Sequence, residues 1–402
     1  MIKKLPHHNG SIFGKINVSG SKSESNRLLI LKSLFPNLQL KNLSNSDDSK
    51  YLKKALEEDK SIVDISHAGT AMRFLTAYFA SKEGVEVVLT GSERMQNRPI
   101  SILVEALRSL GAEISYVKRE GYPPLRIKGK RIQKKRVSIH GNVSSQYISA
   151  LLLMAPGLEE GLEIELLGEI TSVPYINMTL ALLRDLGINC HWEGQVIRVE
   201  HQKNISDTSV TVESDWSSAS YFYSLVALSQ EGKVTLQAYK KNSLQGDSSL
   251  AEIYKHFGVE TIFGDDSISL VKNEVETKPL TLDLVNCPDL AQTIAVTCFG
   301  LGIACDLSGL HTLKIKETDR LVALQNELEK LGAKVSITDK SLHLEKGAVI
   351  KENVSIDTYD DHRMAMAFAP LCLKVPIMIN DAEVVTKSYT DFWRDFESVL
   401  IS

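Results

Sequence analysis

An α/β fold of two domains, each packed from three units of strand, helix, strand, helix and hairpin, is what this sequence of 402 residues predicts. Three observations carry the prediction. Single cores stop growing at roughly 250–300 residues, so a chain of this length divides. Helices that open on small polar or charged residues recur: with Ser23, Thr70, Ser145, Trp216, Asp289 and His362 as markers, successive spacings are 47, 75, 71, 73 and 73 residues. A second kind of helix ends in a bulky apolar residue and Gly, at Leu110-Gly111, Leu186-Gly187, Phe257-Gly258 and Leu331-Gly332, and these glycines lie 76, 71 and 74 residues apart.

The elements follow in chain order. Ser23-Glu24-Ser25-Asn26-Arg27 opens the first helix. Leu56 to Ile65 contains no Leu-Gly and leaves no room for a hairpin, so the first unit is expected to be trimmed. Gly69-Thr70-Ala71-Met72-Arg73 and Ser144-Ser145-Gln146 open the next two, and Asp215-Trp216-Ser217-Ser218, Pro288-Asp289-Leu290 and Asp361-His362-Arg363-Met364 the last three. Gly after each companion helix suits the left-handed position that closes it. Behind it comes an alternating stretch such as Val335 to Leu344, the pattern of a hairpin. Repeats of about 70 residues exceed solenoid lengths, so the units pack as globular threes with a boundary near Glu213.

Composition excludes several classes of function. Lys+Arg number 46 against 50 Asp+Glu, a formal charge of −4, which argues against nucleic-acid or anionic-membrane binding. Hydrophobic residues at 43% and charged ones at 24% exclude disorder. The five cysteines, Cys190, Cys287, Cys298, Cys305 and Cys372, make no C-x-x-C pair, as expected of a reduced compartment. No apolar stretch follows Lys3 and Lys4, and the richest apolar run, Ile148 to Leu158, is too short to span a bilayer. A cytoplasmic protein is expected.

Any anion site must therefore be local, and the helix openings supply the chemistry. A helix N-terminus carries unpaired amides and about half a positive charge, so it attracts phosphate or carboxylate where small residues allow approach. Gly20-Ser21-Lys22-Ser23 is no nucleotide-binding P-loop, since Ser21 stands where that motif needs Gly. For Ser144-Ser145-Gln146, simple N-capping and ligand binding remain equally open. Cations gather beside the openings: Lys22, Arg27, Arg98, Lys316, Arg320, Arg363 and Lys387. Arg73 reads as readily as a structural charge paired to a neighbour.

At this level of detail the order of blocks resembles the EPSP synthase (3-phosphoshikimate 1-carboxyvinyltransferase) family over nearly the whole chain. The blocks are Gly20-Ser21-Lys22-Ser23 with Asn26-Arg27, Ala68-Gly69-Thr70-Ala71-Met72-Arg73, Leu89-Thr90-Gly91 with Arg94-Met95 and Arg98-Pro99, and Ser144-Ser145-Gln146. Pro174-Tyr175-Ile176, Ser217 to Phe222, Pro288-Asp289, Lys316-Glu317-Thr318-Asp319-Arg320 and Asp361 to Met366 complete the set. The resemblance implies two domains, residues 20–213 and residues 1–19 plus 214–402, each a pseudo-threefold assembly of β-α-β-α-β-β units, with the active site in the interdomain cleft. It implies enolpyruvyl transfer from phosphoenolpyruvate to the 5-hydroxyl of shikimate 3-phosphate, with phosphate released, no metal or organic cofactor, and a monomer whose partners are these two small molecules.

Residue by residue, the resemblance places phosphoenolpyruvate on Lys22, Gly69, Arg98, Gln146, Arg320, Arg363 and Lys387, with Asp289 nearby. Shikimate 3-phosphate falls to Lys22, Ser23, Arg27, Ser144, Ser145, Gln146, Ser172, Tyr175, Asp289 and Lys316. Proton removal from a hydroxyl and delivery to a methylene carbon require general acid–base groups. Asp289 and Lys22 are assigned to the hydroxyl, Glu317 to the methylene, and His362 to the transferring phosphate or to structure. Together the substrates carry about six negative charges, against the seven cations named above.

The sequence departs from the family's pattern at His67, usually Asn, and Phe74, commonly Pro, both beside the phosphoenolpyruvate residues. Thr312-Leu313 and Trp216 depart farther off. Rival readings are the sister enzyme acting on UDP-N-acetylglucosamine, disfavoured because Ser92 to Arg98 holds no cysteine, an RNA-phosphate cyclase, and a non-catalytic anion binder.

Overall fold

Each of the six openings starts a helix in the computed structural model, which describes residues 1–170, 173–275, 278–347 and 349–400. They are Lys22–Leu34, Gly69–Ser81, Ser145–Met154, Trp216–Leu228, Ala291–Leu301, entered through the 3-10 turn Pro288–Leu290, and His362–Phe368. These helices are buried over most of their length, from Gly69 to Ala80 in the second and from His362 to Phe368 in the sixth. Helices covered on nearly every face belong at the centre of a body, with sheets outside them. The Leu-Gly and Phe-Gly ends also behave as read: Gly111, Gly187, Gly258 and Gly332 take φ of 105°, 77°, 70° and 103°, conformations that strain any residue with a Cβ.

The chain separates into two units, Gly20–Val212, and Met1–Ser19 with Glu213–Ser402. In the first, the helices Lys22–Leu34, Gly69–Ser81 and Ser145–Met154 pack on one another inside three sheets. Two sheets repeat one plan: a parallel pair joined through a buried helix, then an antiparallel hairpin. One runs Ile62–Asp64, Glu86–Thr90, Leu125–Lys128, Glu113–Tyr116, and the other Arg136–His140, Leu162–Leu167, Val196–Val199, Cys190–Glu193. The third is trimmed. Asp47–Glu57 leads straight to Ile62–Asp64 without a hairpin, and Leu38–Lys41 pairs only with Thr208–Thr211, in parallel.

The second unit repeats the plan. Ile12–Ile16 pairs in parallel with Gly232–Gln237, followed by Ser267–Lys272 and Val259–Phe263. Leu280–Asp283 pairs with Cys305–Ser308, followed by Leu342–Leu344 and Val335–Ile337, the hairpin expected there. In the third sheet, Val354–Ile356 and Ile377–Ile379 are completed by the N-terminal strand Lys3–Leu5. The alternating strands turn Val234, Leu236, Ile268 and Leu270 inward, where they meet Tyr221, Phe222 and Leu225 of a central helix in one apolar core.

Candidate active site

In the unit Gly20–Val212, three helix openings carry the expected residues. Ser21 caps the first, accepting from Glu24 N at 3.5 Å, and leaves Lys22 and Ser23 half-buried in its first turn. Ser144 caps the third, accepting from Gln146 N at 3.4 Å. A serine that accepts from an amide still has its own proton to give, so capping and phosphate binding are compatible at Ser144. Gln146 Nε2 donates to Thr70 Oγ1 at 3.3 Å, which ties the third opening to the second. The second opening, after Ala68, has no side-chain cap, so no capping side chain satisfies its first amides.

Arg98 lies across that opening: a Cβ built on Gly69 would stand 3.0 Å from Arg98 Cζ. Arg73 holds the arrangement from inside. Its Nη1 donates to Gly69 O at 3.1 Å and its Nη2 to Pro99 O at 3.2 Å, while Tyr147 OH donates to Pro99 O at 2.7 Å. Burial, and then the charge of Arg98, bring the Arg73 guanidinium down to about 10. Arg73 is thus the structural cation that positions Arg98.

Arg27, expected at shikimate 3-phosphate, is hydrogen-bonded within this unit. Its Nε donates to Thr179 Oγ1 at 2.7 Å, Nη1 to Ser23 O at 2.9 Å, and Nη2 to Ser149 Oγ at 3.0 Å and Tyr175 O at 3.3 Å. With 3% of its surface exposed, it braces neighbouring helices. Phe74 packs its ring 5.6 Å from that guanidinium, and His67 Nε2 lies 3.9 Å from Asp47 Oδ2. Tyr175 is half-buried, and Ser172 lies outside the described residues.

The unit containing residues 213–402 gathers the others around Asp289. Arg320 Nη1 is 2.8 Å and Lys316 Nζ 3.6 Å from Asp289 Oδ1, and Arg363 Nη2 is 3.0 Å from Oδ2. Arg320 also reaches Asp361 Oδ2 at 2.6 Å through Nε and Glu317 Oε2 at 2.7 Å through Nη2. Burial opposes the charge on Arg320, yet Asp361, Glu317 and Asp289 outweigh it and hold the guanidinium above its usual range. Arg320, placed at phosphoenolpyruvate by the resemblance, is 2% exposed and fastens three carboxylates. Arg363 differs: its Nε is buried with no hydrogen-bond partner among the described residues.

His362 is buried beside Asp361, with Nδ1 3.9 Å from Oδ1. Lys387 Nζ bonds Asp360 through Oδ1 at 2.6 Å and the carbonyl at 2.8 Å. Two openings in this unit are filled by the protein's own anions, since Asp215 accepts from Ser217 N at 2.8 Å and Asp361 from Arg363 N at 2.9 Å. The balance of seven cations against the substrates therefore fails as simple addition, because Asp289, Glu317, Asp360 and Asp361 already share four of them. Among the described residues, no group of three or more His, Cys, Asp or Glu is placed to hold a metal.

Comparison with known proteins agrees with this architecture. The model of the family described as EPSP synthase (3-phosphoshikimate 1-carboxyvinyltransferase) matches residues 37–396. A 3-phosphoshikimate 1-carboxyvinyltransferase of Bacteroides fragilis is 47% identical over 94% of this chain and 93% of its own. One from Haemophilus influenzae is 37% identical over 97% of both. Among solved structures, EPSP synthase from Acinetobacter baumannii superposes with a TM-score of 0.79 at 22% identity, covering 99% of this chain and 98% of its own. The enolpyruvyl transferase NikO from Streptomyces tendae gives 0.74 at 13% identity, over 98% and 97%. The two structures show a shared fold.

Proposed function

Because the chain belongs to the EPSP synthase family, and is thereby an enzyme, we propose that it transfers the enolpyruvyl group of phosphoenolpyruvate to the 5-hydroxyl of shikimate 3-phosphate and releases phosphate. The observation that carries the reading is the cluster at Asp289, where two carboxylates suited to proton transfer lie among cations suited to anionic substrates. Lys22, Gly69, Arg98 and Gln146 with Arg320, Arg363 and Lys387 serve phosphoenolpyruvate. Lys22, Ser23, Arg27, Ser144, Ser145, Gln146, Tyr175, Asp289 and Lys316 serve shikimate 3-phosphate, and Arg27 also holds Ser23 by its carbonyl. The enzyme acts in the cytoplasm as a monomer; no helix among the described residues is long and apolar enough to cross a membrane.

The reaction proceeds by addition and elimination. Asp289 takes the proton of the 5-hydroxyl, with the Lys22 ammonium stabilising the developing negative charge on its oxygen, as that oxygen bonds to C2 of phosphoenolpyruvate, while Glu317 delivers a proton to the methylene carbon. In the elimination Glu317 takes a proton back from the new methyl group, the double bond reforms, and phosphate departs beside His362 with the proton returned from Asp289. Incubation with both substrates should yield equal amounts of inorganic phosphate and enol ether; phosphate release with no enol ether, or neither product, refutes the reaction.

Two variants test the assigned roles. Glu317→Gln keeps the volume and an acceptor for Arg320 but cannot exchange the proton, so turnover should drop by roughly 10²-fold with substrate affinities nearly unchanged. Near-normal turnover removes Glu317 from the proton path. Gly69→Ala pushes a methyl group into the Arg98 guanidinium, a flexible end that yields by moving off the helix opening. The expected result is an unchanged Tm and a KM for phosphoenolpyruvate raised on the order of tenfold, the worth of one charge-assisted contact. An unaltered KM means that Arg98 does not bind there.

A further inference from the structure

A buried carboxylate outside the expected set reaches the reacting cluster through one hydroxyl. Asp247 lies in the turn Gly246–Ser249 and is 6% exposed. Ser217, in the first turn of Trp216–Leu228, donates its hydroxyl proton to Asp247 Oδ2. With that proton committed, Ser217 Oγ accepts from Arg363 Nη2 at 3.3 Å, and the same nitrogen donates to Asp289 Oδ2 at 3.0 Å. Both protons of Nη2 are thereby fixed, which sets the guanidinium plane and the direction of its unpartnered Nε. The turn is itself anchored: Gln245 Oε1 accepts from Trp216 N at 3.0 Å, Gln245 Nε2 donates to Ser214 O at 3.0 Å, and Ser243 Oγ donates to Glu213 Oε2 at 2.7 Å.

We propose that Asp247, acting through the Ser217 hydroxyl, is a positioning residue that aims Arg363 at the anionic group of phosphoenolpyruvate. The proposal rests on the reaction assigned above. A carboxylate with no such task would be an expensive occupant of this interior, since an ionised group without close cationic contact is costly to bury. The groups facing Asp247 are Asp289, Asp215, Arg363 and the Cys287 thiol. Burial first, then the charge of Asp289, pushes the Asp247 carboxyl up to about 6, with Arg363 and the Ser217 hydrogen bond pulling the other way. Above that pH the carboxylate holds the hydroxyl; below it, the added proton removes the charge that orients the relay.

Asp247→Asn removes the charge, and Ser217→Ala removes the link while leaving the carboxylate. Both should raise KM for phosphoenolpyruvate on the order of tenfold, leave KM for shikimate 3-phosphate within about twofold, and change kcat little, because only one substrate's anchor is misaimed. Ser217→Thr keeps the hydroxyl and should restore the parent's KM. The parent's kcat/KM for phosphoenolpyruvate should fall more steeply below about pH 6 than that of Asp247→Asn; the substrate phosphate titrates in both proteins, so the difference between the profiles is the readout. Parent-like KM values and superimposable profiles in the two variants overturn the proposal, as does a Ser217→Thr protein as impaired as Ser217→Ala. If the parent itself releases no phosphate from the two substrates, the reaction falls. The role of Asp247 is then decided by calorimetry with inorganic phosphate, whose affinity both variants should weaken on the order of tenfold; unchanged affinity sinks the inference.

Discussion

Asp289→Asn should lower turnover by roughly 10³-fold while leaving the protein folded, within the range that removal of a general acid–base group produces. The argument is geometric. Asp289 accepts from Arg320 at Oδ1, 2.8 Å, and from Arg363 at Oδ2, 3.0 Å, so the carboxylate is held in place among cations, where a substrate hydroxyl would meet an ionised acceptor. Asparagine fills the same space, but it cannot take a proton, and its NH2 must face a guanidinium that also only donates. Phosphate release at saturating substrate measures the loss, and calorimetry with shikimate 3-phosphate separates chemistry from binding. Turnover within a few-fold of the parent rules Asp289 out as the proton acceptor.

Arg320→Ala should destabilise the unit that contains it by about 3–5 kcal/mol, the usual consequence of deleting one partner from a buried ionic cluster. Asp361, with no exposed side-chain surface, and Asp289, at 14%, would then face each other across a cavity without their cation. The loss is read as a shift in denaturant midpoint. Adding Asp361→Asn should recover part of it, since the two changes act on one contact and are not additive. A loss below about 1 kcal/mol would mean that water already solvates these carboxylates.

How much of this was legible in the sequence depends on whether the feature is local. The openings at Ser23, Thr70, Ser145, Trp216, Asp289 and His362 all start buried helices, because the apolar run behind each, and in four of them a capping Ser or Asp, act within one or two turns. The glycines at 111, 187, 258 and 332 mark helix ends for the same reason, a conformation that only nearby backbone decides. Which cations remain open is not local. Arg27 and Arg98 look alike in sequence, yet Arg27 finds Ser149 and Thr179 from distant helices while Arg98 lies across Gly69. Arg320 likewise meets Asp361 some forty residues later. Asp247 left no mark beyond a Gly-Asp-Ser turn, since its importance comes from Ser217 and Arg363, thirty and more than a hundred residues away.

The pairing of Ile12–Ile16 with Gly232–Gln237 bears on the order of events at the ribosome. Ile12–Ile16, like Lys3–Leu5 before it, emerges early and waits, without its neighbour, while more than two hundred residues are translated. The inserted unit closes on itself once Thr208–Thr211 meets Leu38–Lys41. A contiguous body can therefore fold while the chain is still growing, whereas the body around it must wait for the later strand. The pause exposes two short edges, Lys3–Leu5 and Ile12–Ile16, and Lys3 and Lys4 in the one, with Gly14 and Lys15 in the other, make both poor templates for pairing with a neighbouring nascent chain.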